Sequence, residues 1–446
     1  MIRRCHGRRR GRRRGAVLVL VLMLMVFVVA LALALGREVR VELSVASAQV
    51  DQVRLRALCD SAIDRALAEL RLDVIPGDTL REPWRDDESI FRAAPRDGAR
   101  VWWLLVEPDP GDGREVRFGL RDEASKLDVN FATRDQLLML PGITDEAVDA
   151  ILDWRDEDDD PNDLGAESAY YGALSPPYLA KNSFIESLDE LRRVRGVDDL
   201  MLYGEDRNRN GVLDPGEDDG DRSFPPDDAD GFLDRGLIDY LTVYARDPNV
   251  RQDGEPRLVW NATNPGELRQ RLEAAGMEQL ALDRLLTMKS TNMQTSSLAP
   301  LVIFPEIDEA AARIVLEELT VVEGAVVPGR INVNTAARPI LAGLPGLEHE
   351  DVEAIMSARL EAQRDLSSPA WLLPVIGQEK FAGVVDLVTC RSEQFTVHVV
   401  ALLENGRFMR VEALVDRSVP PIRVLTRRDV THLGFPFPGE RGAGSP

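Results

Sequence analysis

The sequence predicts an α+β fold with a long N-terminal helix, a small antiparallel sheet and a large inserted α-helical domain. Three observations predict it: an apolar run that continues into a helical apolar stripe, two pairs of strand-like segments about 270 residues apart, and an internal repeat between them. The predicted segments are a leader, a helix, first strands, the insertion, last strands and a disordered tail rich in Pro and Gly. Their bounds are 1–15, 16–72, 73–127, 128–383, 384–420 and 421–446.

The composition is that of a folded, acidic protein. Of the 446 residues, 44% are hydrophobic, and 54 Lys and Arg stand against 76 Asp and Glu, a net charge of −22. Such an acidic chain repels polyanions, which argues against a general nucleic-acid binder. The three cysteines are too few for a disulfide scaffold and form no CxxC motif, although a single Cys59–Cys390 disulfide remains open.

The first predicted element is a membrane-spanning helix. Residues 1–15 contain eight Arg and no acidic residue, and residues 16–35 contain no polar side chain. Twenty helical residues span about 30 Å, the thickness of the hydrocarbon core of a bilayer. The positive-inside rule then places the N-terminus in the cytoplasm and the remaining chain beyond the membrane. The apolar stripe continues over residues 55–70, so one helix is predicted over 16–72.

Three interpretations of this N-terminus remain open. A secretory signal would have a shorter apolar stretch and a small-x-small cleavage site after it, and a plain single-span anchor would need no cleavage. The third is a type IV prepilin leader, a short basic peptide that ends in Gly directly before an apolar helix. Gly15 and Ala16 are placed for that cut, and a helix of this length is typical of subunits that pack into a filament core.

Two predicted hairpins form the sheet. Segments 100–107 and 115–120 flank a Pro/Gly/Asp cluster, and segments 394–403 and 407–415 flank a Glu-Asn-Gly turn at 404–406. In the simplest arrangement, both hairpins belong to one sheet that packs on the long helix, and the intervening chain is an insertion.

The insertion contains an internal repeat. Residues 128–155 and 332–359 align at an offset of 204 without a gap, and each copy predicts a helix, a Leu-Pro-Gly turn and a second helix. A weaker third copy begins at Trp260 and lacks the Pro-Gly turn. Helix-hairpin-helix units of this kind contact DNA backbones in some proteins, but acidic residues begin the second helices here and would repel phosphate. We therefore interpret the repeats as packing units.

An acidic loop between the two copies matches a calcium-binding template. Residues 206–217 fit D-x-[DN]-x-[DN]-G-x5-E at every specified position. This spacing directs alternate oxygens to one centre, allows a sharp turn at Gly211 and closes the shell with a carboxylate. Flanking EF-hand helices are not evident. The predicted Ca²⁺ ligands are Asp206, Asn208, Asn210, Val212 through its carbonyl, Asp214 and Glu217.

Two further acidic loops offer oxygens without the template spacing. In the loop at 227–231, Pro226 stands where the template needs its first Asp. This loop is therefore predicted at most to supply a ligand to one of the other two cation sites. The loop at 154–167 is either a solvated turn or a second cation site. The predicted ligands of that second site are Asp156, Asp158, Asp160 and Glu167.

No enzyme is predicted. The sequence lacks the nucleophile elbow GxSxG, the phosphate loop GxxxxGK, the dinucleotide fingerprint GxGxxG and the zinc motif HExxH. The four histidines are scattered, and nothing apolar surrounds the carboxylates that would separate the pKa of an acid from the pKa of a base.

Taken together, these residues resemble the general secretion pathway protein K family, the large minor pseudopilins of type II secretion systems. The resemblance rests on Gly15-Ala16, on LDVNFAT in the first repeat, on DWRD leading to GAE and YY, and on INVNTA in the second repeat. It implies a pilin-like fold with an inserted helical domain that holds calcium sites. It also implies cleavage and N-methylation at Ala16 by a prepilin peptidase.

The resemblance further implies a location and partners. The helix would lie in the bacterial inner membrane and the bulk of the chain in the periplasm, at the pseudopilus tip, with minor pseudopilins I and J and the major pseudopilin below. Most pilins carry Glu at the fifth mature position, where this chain has Leu20. A tip subunit has no earlier neighbour whose amine could pair with that buried carboxylate. Whether the tip starts assembly, contacts the secretin or contacts cargo stays open.

Two competing interpretations come from other classes of protein. A membrane-anchored periplasmic DNA receptor would share the anchor and the hairpins, but it would be short and basic outside the membrane. A tethered calcium-dependent hydrolase would need a nucleophile in a pocket, which the sequence does not indicate.

Overall fold

The computed structural model describes residues 14–73, 76–107, 117–223 and 226–437. The chain divides into two compact units, residues 1–57 and residues 58–446. Residues 1–13 of the predicted leader lie outside the described residues, and the leader's last two positions begin helix α1 (Arg14–Leu72).

In the first unit, helix α1 contains the predicted membrane segment, residues 16–35. A window of 18 residues reaches a mean hydropathy of 3.3, and none of that window is buried. The large apolar side chains from Val17 to Leu35 are exposed. An apolar surface of this size needs lipid or another protein to cover it, and the helix is long and apolar enough to cross a membrane.

The second unit consists of short helices and strands. After α1 the helices are α2 (Glu88–Phe91), α3 (Arg134–Leu138), α4 (Asp145–Arg155), α5 (Ser168–Tyr171), α6 (Asp199–Tyr203), α7 (Pro265–Ala274), α8 (Gln279–Ser290), α9 (Ala299–Val302), α10 (Glu309–Glu318), α11 (Arg338–Ala342), α12 (His349–Ala358), α13 (Leu373–Ile376) and α14 (Gln378–Val384). The strands are β1 (Ala94–Arg96), β2 (Ala99–Leu105), β3 (Arg117–Phe118), β4 (Arg121–Asp122), β5 (Leu127–Asp128), β6 (Leu241–Thr242), β7 (Arg246–Pro248), β8 (Leu258–Val259), β9 (Leu319–Thr320), β10 (Val326–Pro328), β11 (Ile331–Asn332), β12 (Val388–Thr389), β13 (Gln394–Leu403), β14 (Phe408–Asp416) and β15 (Arg423–Asp429).

One antiparallel sheet joins the two ends of this unit. Its strand order is β1-β2-β13-β14-β15, with β3 paired to β2 and β4 paired to β13. Val399 of β13 lies opposite Trp103 of β2 on one side and opposite Val411 of β14 on the other. The two predicted pairs of strands therefore share one sheet, and the predicted α+β class is confirmed.

The β13–β14 hairpin turns where the sequence predicts it. Gly406 has a φ of 81°, in the left-handed region that favours glycine, and the Asn405 side chain accepts a hydrogen bond of 3.1 Å from the Arg407 amide. In the other predicted hairpin, the described part of the segment 115–120 forms β3, antiparallel to β2. The turn before β3 lies outside the described residues.

The sheet packs on the part of α1 that belongs to the second unit. Leu58, Ala62, Ala66 and Leu70, which follow the predicted helical spacing, are buried. The Trp103 indole Nε1 donates a hydrogen bond of 2.9 Å to the Ala62 carbonyl. The predicted contact between sheet and helix is therefore present.

The prediction of a disordered tail is corrected for residues 423–433. Strand β15 pairs with β14, and Thr431–Leu433 forms a turn of 3-10 helix. The Pro and Gly residues that suggested disorder flank this stretch, whereas the strand itself, RVLTRRD, contains neither. Residues 438–446 lie outside the described residues.

Three two-helix units, counted over the described residues, build much of the inserted domain. The two predicted copies contain α3 with α4 and α11 with α12, and their turns hold Gly142 at φ 72° and Gly346 at φ 76°. The weak third copy contains α7 with α8, and Gly276 has φ 84°. The turn needs the left-handed glycine and not the proline, which is why the sequence signal of the third copy is weak.

Each unit begins at a short parallel ladder that the sequence did not predict. β5 pairs with β6, β8 with β9 and β11 with β12. The amides of Val129, Trp260 and Val333 extend these ladders by one hydrogen bond each, at 2.9, 2.7 and 3.1 Å. The inserted domain therefore contains short parallel ladders in addition to the predicted helices. Parallel strands need a crossover connection, and the helices of each unit belong to it.

A similar set of asparagine contacts recurs in the three units. Asn130 exchanges two hydrogen bonds with the backbone of Ile185, and Asn261 does the same with Thr295, at 2.7 to 3.1 Å. In the same place, the fully buried Asn334 donates to the Leu366 carbonyl at 2.9 Å and accepts from the Trp371 indole at 3.0 Å. Each asparagine thus ties the start of a unit to a distant loop.

A cation near the end of the second helix closes each unit. It donates to main-chain carbonyls of the segment that begins the unit. The three cations are Arg155, Lys289 and Arg359. The carbonyls at the start of each unit therefore accept hydrogen bonds from a side chain and do not need water as a partner.

Buried polar contacts join the inserted domain to the sheet. The Asp122 carboxylate accepts hydrogen bonds from Asn332 Nδ2 at 3.1 Å and from Thr335 Oγ1 at 2.6 Å. The Glu123 carboxylate accepts from the hydroxyls of Thr242 and Thr396, each at 2.6 Å. These contacts fix segments of the inserted domain to the edge of the sheet.

The disulfide that the sequence left open is not formed. Within the described residues, Cys59 and Cys390 are both buried free thiols. Burial raises the pKa of Cys59 to about 12, so this thiol stays protonated.

Candidate metal centres

The predicted calcium loop, residues 206–217, follows helix α6. Its backbone takes left-handed conformations at Arg209 (φ 51°) and Gly211 (φ 76°). The buried Asp206 carboxylate accepts hydrogen bonds from the amides of Asn210 at 3.0 Å and Gly211 at 2.8 Å. The chain therefore folds back over its first predicted ligand, as a loop that wraps a cation does.

Three predicted ligands converge inside this loop. The Nδ2 atoms of Asn208 and Asn210 lie 2.6 and 3.0 Å from Oδ2 of Asp214. Val212 donates its amide to Oδ1 of Asn210 at 2.7 Å. Oδ1 of Asn208 is buried and has no hydrogen-bond partner among the described residues. A buried oxygen without a partner is costly, so this atom fits a role as a cation ligand.

Glu217, at the twelfth position, closes the loop. Its carboxylate accepts hydrogen bonds from the amides of Arg207 at 2.8 Å and Asp214 at 3.1 Å. Burial, together with the negative charges of Asp206 and Asp214, raises the pKa of Glu217 to about 7. A divalent cation in the loop would offset this concentration of negative charge.

A second group of carboxylates meets at the end of helix α4. One oxygen from each of Asp153, Asp156 and Glu167 lies within 4.8 Å of the others, and the described ranges contain no other group of three His, Cys, Asp or Glu ligands this close. Asp153 and Asp156 are three residues apart across the helix end and share a face. The loop that follows brings Glu167 back to them. We call this group the α4 cluster.

Two carboxylates of the α4 cluster lack the partners that buried charges need, whereas the third, Asp153, accepts hydrogen bonds from the amide and the side chain of Asn162 at 3.1 and 2.5 Å. Both oxygens of Glu167 and Oδ1 of Asp156 are buried without a hydrogen-bond partner in the part of the chain that is described. Burial, with the charges of Asp153 and Asp156, raises the pKa of Glu167 to about 7. Oxygen ligands suit a hard divalent cation, which would satisfy all three side chains at once.

The structure brings together only two of the four predicted ligands of this second site, whose occupation by a cation stays a prediction. Asp156 and Glu167 belong to the α4 cluster, whereas Asp158 and Asp160 do not. Asp158 accepts the Asp160 amide at 2.9 Å, and both residues are exposed in the turn beyond the helix. Asp153 was missed, and the i, i+3 spacing of Asp153 and Asp156 at a helix end is the signal that could have found it.

Gly165 leaves the space that the Asp153 carboxylate occupies. A Cβ atom at this position would lie 1.9 Å from Oδ2 of Asp153. We expect Gly165→Ala to displace that carboxylate and to weaken cation binding at the α4 cluster by about tenfold or more, as changes in the surroundings of metal ligands do. Calorimetric titration of the full chain in detergent with Ca²⁺ measures this effect.

The matched control for that titration is Gly383→Ala. Gly383 lies in helix α14, where alanine is favourable, and its nearest neighbouring atom would be 3.7 Å from the added Cβ. An equal loss of affinity in both variants would contradict the assignment of Gly165.

The third acidic loop, residues 227–231, packs beside the calcium loop. The Glu205 carboxylate accepts hydrogen bonds from the amides of Asp228 at 3.3 Å and Asp234 at 3.2 Å. Asp227 accepts the Gly220 amide at 2.7 Å. These carboxylates hold neighbouring backbone and do not gather into a further cluster among the described residues.

Comparison with known proteins identifies one family. Residues 120–203, which contain the first two-helix unit and the α4 cluster, match the family described as type II secretion system (T2SS), protein K. Type II secretion system protein K of Aeromonas hydrophila is 53% identical over 53 residues, 12% of this chain and 16% of that protein. Putative type II secretion system protein K of Escherichia coli strain K12 is 32% identical over 146 residues, 30% of this chain and 42% of that protein.

The chain spans less than half the length of these two curated relatives. A solved structure, the GspK-GspI-GspJ complex from the type 2 secretion system of enterotoxigenic Escherichia coli, aligns with a TM-score of 0.47 and 13% identity, over 86% of this chain and 98% of that chain. The resemblance drawn from the sequence is confirmed over the matched residues, because residues 120–203 match the type II secretion system protein K family.

Proposed function

We propose that this chain is a minor pseudopilin that takes part in pseudopilus assembly and in protein secretion across the outer membrane. The family domain at residues 120–203 is the observation that carries the proposal. The apolar stretch of helix α1 supports it, because a pseudopilin subunit needs such a helix before and after it enters the filament. The role is structural, and no catalytic residue is assigned.

The proposed location is the bacterial inner membrane, with the second unit in the periplasm at the pseudopilus tip. The proposed partners follow from the family: a prepilin peptidase, the major pseudopilin, and minor pseudopilins I and J. Leu20 supports a tip position, because an uncharged helix needs no amine from an earlier subunit.

Mass spectrometry of the N-terminus tests this proposal. After co-expression of the full chain with a prepilin peptidase, we expect a mature protein that begins at N-methylated Ala16. Gly15→Leu is the control, and it should remain uncut. An intact Met1 in the native chain, or a cut beyond Leu35, would return the protein to a plain anchor or a secreted calcium-binding protein.

We also propose Ca²⁺ as the ligand of both the 206–217 loop and the α4 cluster. Carboxylate and amide oxygens suit a hard cation, and neither site offers the sulfur or imidazole that zinc prefers. The unpartnered Asn208 oxygen supports the first site, and the unpartnered Glu167 carboxylate supports the second. A cation bound at either site would hold the side chains of that loop together, and it would have no catalytic role.

The DNA receptor has weaker support. The turns at Gly142 and Gly346 have open space around them, as a backbone grip on phosphate would need. Acidic residues nevertheless begin the helices that follow, with Asp145 and Glu146 in α4 and Glu350 and Asp351 in α12. These negative charges repel the phosphates of DNA, and salt weakens this repulsion by screening it.

A further inference from the structure

A buried arginine of the sheet holds the calcium loop from outside. Arg410, on β14, is fully buried. Its guanidinium donates hydrogen bonds to the carbonyls of Asn208 at 2.7 Å and Arg209 at 3.4 Å, the third and fourth positions of the loop. Its Nε donates to His398 Nε2 at 3.1 Å. Among the described residues, no carboxylate forms a salt bridge with it.

Because no carboxylate forms a salt bridge with Arg410 among the described residues, its N–H groups depend on the loop carbonyls as hydrogen-bond acceptors. A buried guanidinium is costly unless its N–H groups are satisfied, and here neutral acceptors must satisfy them. The loop backbone at 208–209 can therefore move only by taking two acceptors away from a buried guanidinium. Arg209 itself sits in the left-handed region, φ 51°, so this is the point at which the loop turns.

The same arginine also holds the C-terminal segment, residues 431–437. Its Nη1 donates to the Gly434 carbonyl at 3.1 Å. Two residues further along the segment, the Pro436 carbonyl accepts a hydrogen bond of 3.1 Å from Nδ2 of Asn210, a residue of the calcium loop. In both hydrogen bonds the donor and the acceptor lie more than 20 residues apart in the sequence. Only the folded chain therefore brings them together.

Aromatic rings attach this segment to the sheet. Phe435 and Phe437 pack on Trp102 of β2 with ring centroids 5.8 and 5.6 Å apart. Phe435 also contacts Phe408 at 5.5 Å, and Phe437 contacts Phe118 at 5.8 Å. The segment therefore covers an aromatic surface of the sheet that its departure would expose.

We propose that Arg410 is a positioning residue of the calcium loop and that it couples cation binding at residues 206–217 to the docking of residues 431–437 on the sheet. This inference rests on the proposed calcium site. An asparagine amide offers an oxygen and an NH₂ group at once, so Asn210 can bind a cation through Oδ1 and Pro436 through Nδ2. A cation that orders the loop then orders the carbonyls on which Arg410 and the segment depend.

The experiment uses the full chain in detergent, with Ca²⁺ as the probe. Calorimetry gives the affinity, and hydrogen exchange with mass spectrometry follows peptides from the loop and from residues 431–437. We expect Ca²⁺ to slow exchange in both peptides. Coupling must be reciprocal, so Phe435→Ala with Phe437→Ala should weaken Ca²⁺ binding at the loop by about fivefold or more.

Arg410→Met should weaken Ca²⁺ binding similarly and should leave residues 431–437 exchanging quickly with or without Ca²⁺. Arg410→Lys, which keeps the charge and part of the donation, should restore some of both effects. Arg423→Met is the matched control, since Arg423 is 55% exposed on β15 and contacts neither segment. The aromatic double variant keeps the test decisive if Arg410→Met fails to fold.

The outcomes separate this inference from the calcium proposal. If Ca²⁺ protects the loop while residues 431–437 exchange at an unchanged rate, the site stands and the coupling is wrong. If the aromatic double variant binds Ca²⁺ as tightly as the native chain, the coupling is also wrong. If the loop peptide does not respond to Ca²⁺ at all, both proposals fail together.

Discussion

Asp153→Asn is expected to abolish Ca²⁺ binding at the α4 cluster. The substitution removes one of the three carboxylates that lie within 4.8 Å of one another and leaves Asp156 and Glu167 with an amide in place of a charge. Calorimetric titration of the full chain should then show one bound ion fewer. At a Ca²⁺ concentration about 100 times the dissociation constant, the lost stabilisation is about 2.7 kcal/mol.

The controls for Asp153→Asn are Asp158→Asn and Asp160→Asn. Both remove the same charge from the same loop, but both residues are exposed and lie outside the cluster. Each should bind the full complement of Ca²⁺ and should keep the Ca²⁺-dependent rise in melting temperature. A loss in these variants, with binding retained in Asp153→Asn, would favour the ligand set predicted from the sequence over the one that the fold assembles.

The α4 cluster also predicts a pH dependence in Ca²⁺-free protein. Burial raises the pKa of Glu167 from 4.5 to about 7. Between these two values the folded chain holds a proton that the unfolded chain has released, so the free energy of unfolding falls as pH rises through this window. Thermal unfolding in a chelator from about pH 5 to about pH 8 measures it, and Glu167→Gln should reduce the dependence to the part that comes from other raised carboxyls such as Glu217, whose pKa is also about 7.

Asn334→Ala should have the largest effect on the stability of the inserted domain. It leaves the Leu366 carbonyl and the Trp371 indole N–H buried without a partner, since Asn334 is fully buried and supplies both contacts. Each unsatisfied buried group costs about 1 to 3 kcal/mol, so we expect a loss of about 3 kcal/mol or more in the free energy of unfolding. Denaturant titration followed by tryptophan fluorescence measures this loss.

The two equivalent asparagines provide internal controls. Asn130 and Asn261 are half-buried, so their side chains lie nearer to solvent than that of Asn334, and each bonds the backbone of one residue. Their alanine variants should lose about 1 to 2 kcal/mol each. Equal losses in all three variants would mean that the depth of burial does not control the contribution of this contact.

Local patterns allowed several features to be predicted from contiguous residues. The apolar run predicted helix α1, the Glu-Asn-Gly turn predicted the β13–β14 hairpin, and the gapless repeat at an offset of 204 predicted two two-helix units. The 206–217 loop could be located for the same reason, because its template requires residues that are close together in the chain. Its use of Ca²⁺ stays a prediction.

Other features depend on residues that are distant in the chain. The third two-helix unit gives only a weak repeat signal because its turn keeps the left-handed Gly276 but not the proline, and the residue type alone does not determine φ. The parallel ladders at the start of each unit join segments from about 60 to about 115 residues apart, and two-residue strands carry no periodic signal.

The sequence by itself determined the α+β class, the apolar N-terminal helix, the main hairpin and the position of the acidic loops, because periodicity, turn residues and net charge act over a few neighbouring residues. Only the tertiary structure decided that Asp153 replaces Asp158 and Asp160 in the α4 cluster, and that Arg410 reaches the 206–217 loop. The physical reason is the same in both cases. A loop's path and its burial decide which carboxylates meet, and a buried guanidinium must find its acceptors wherever the fold brings them.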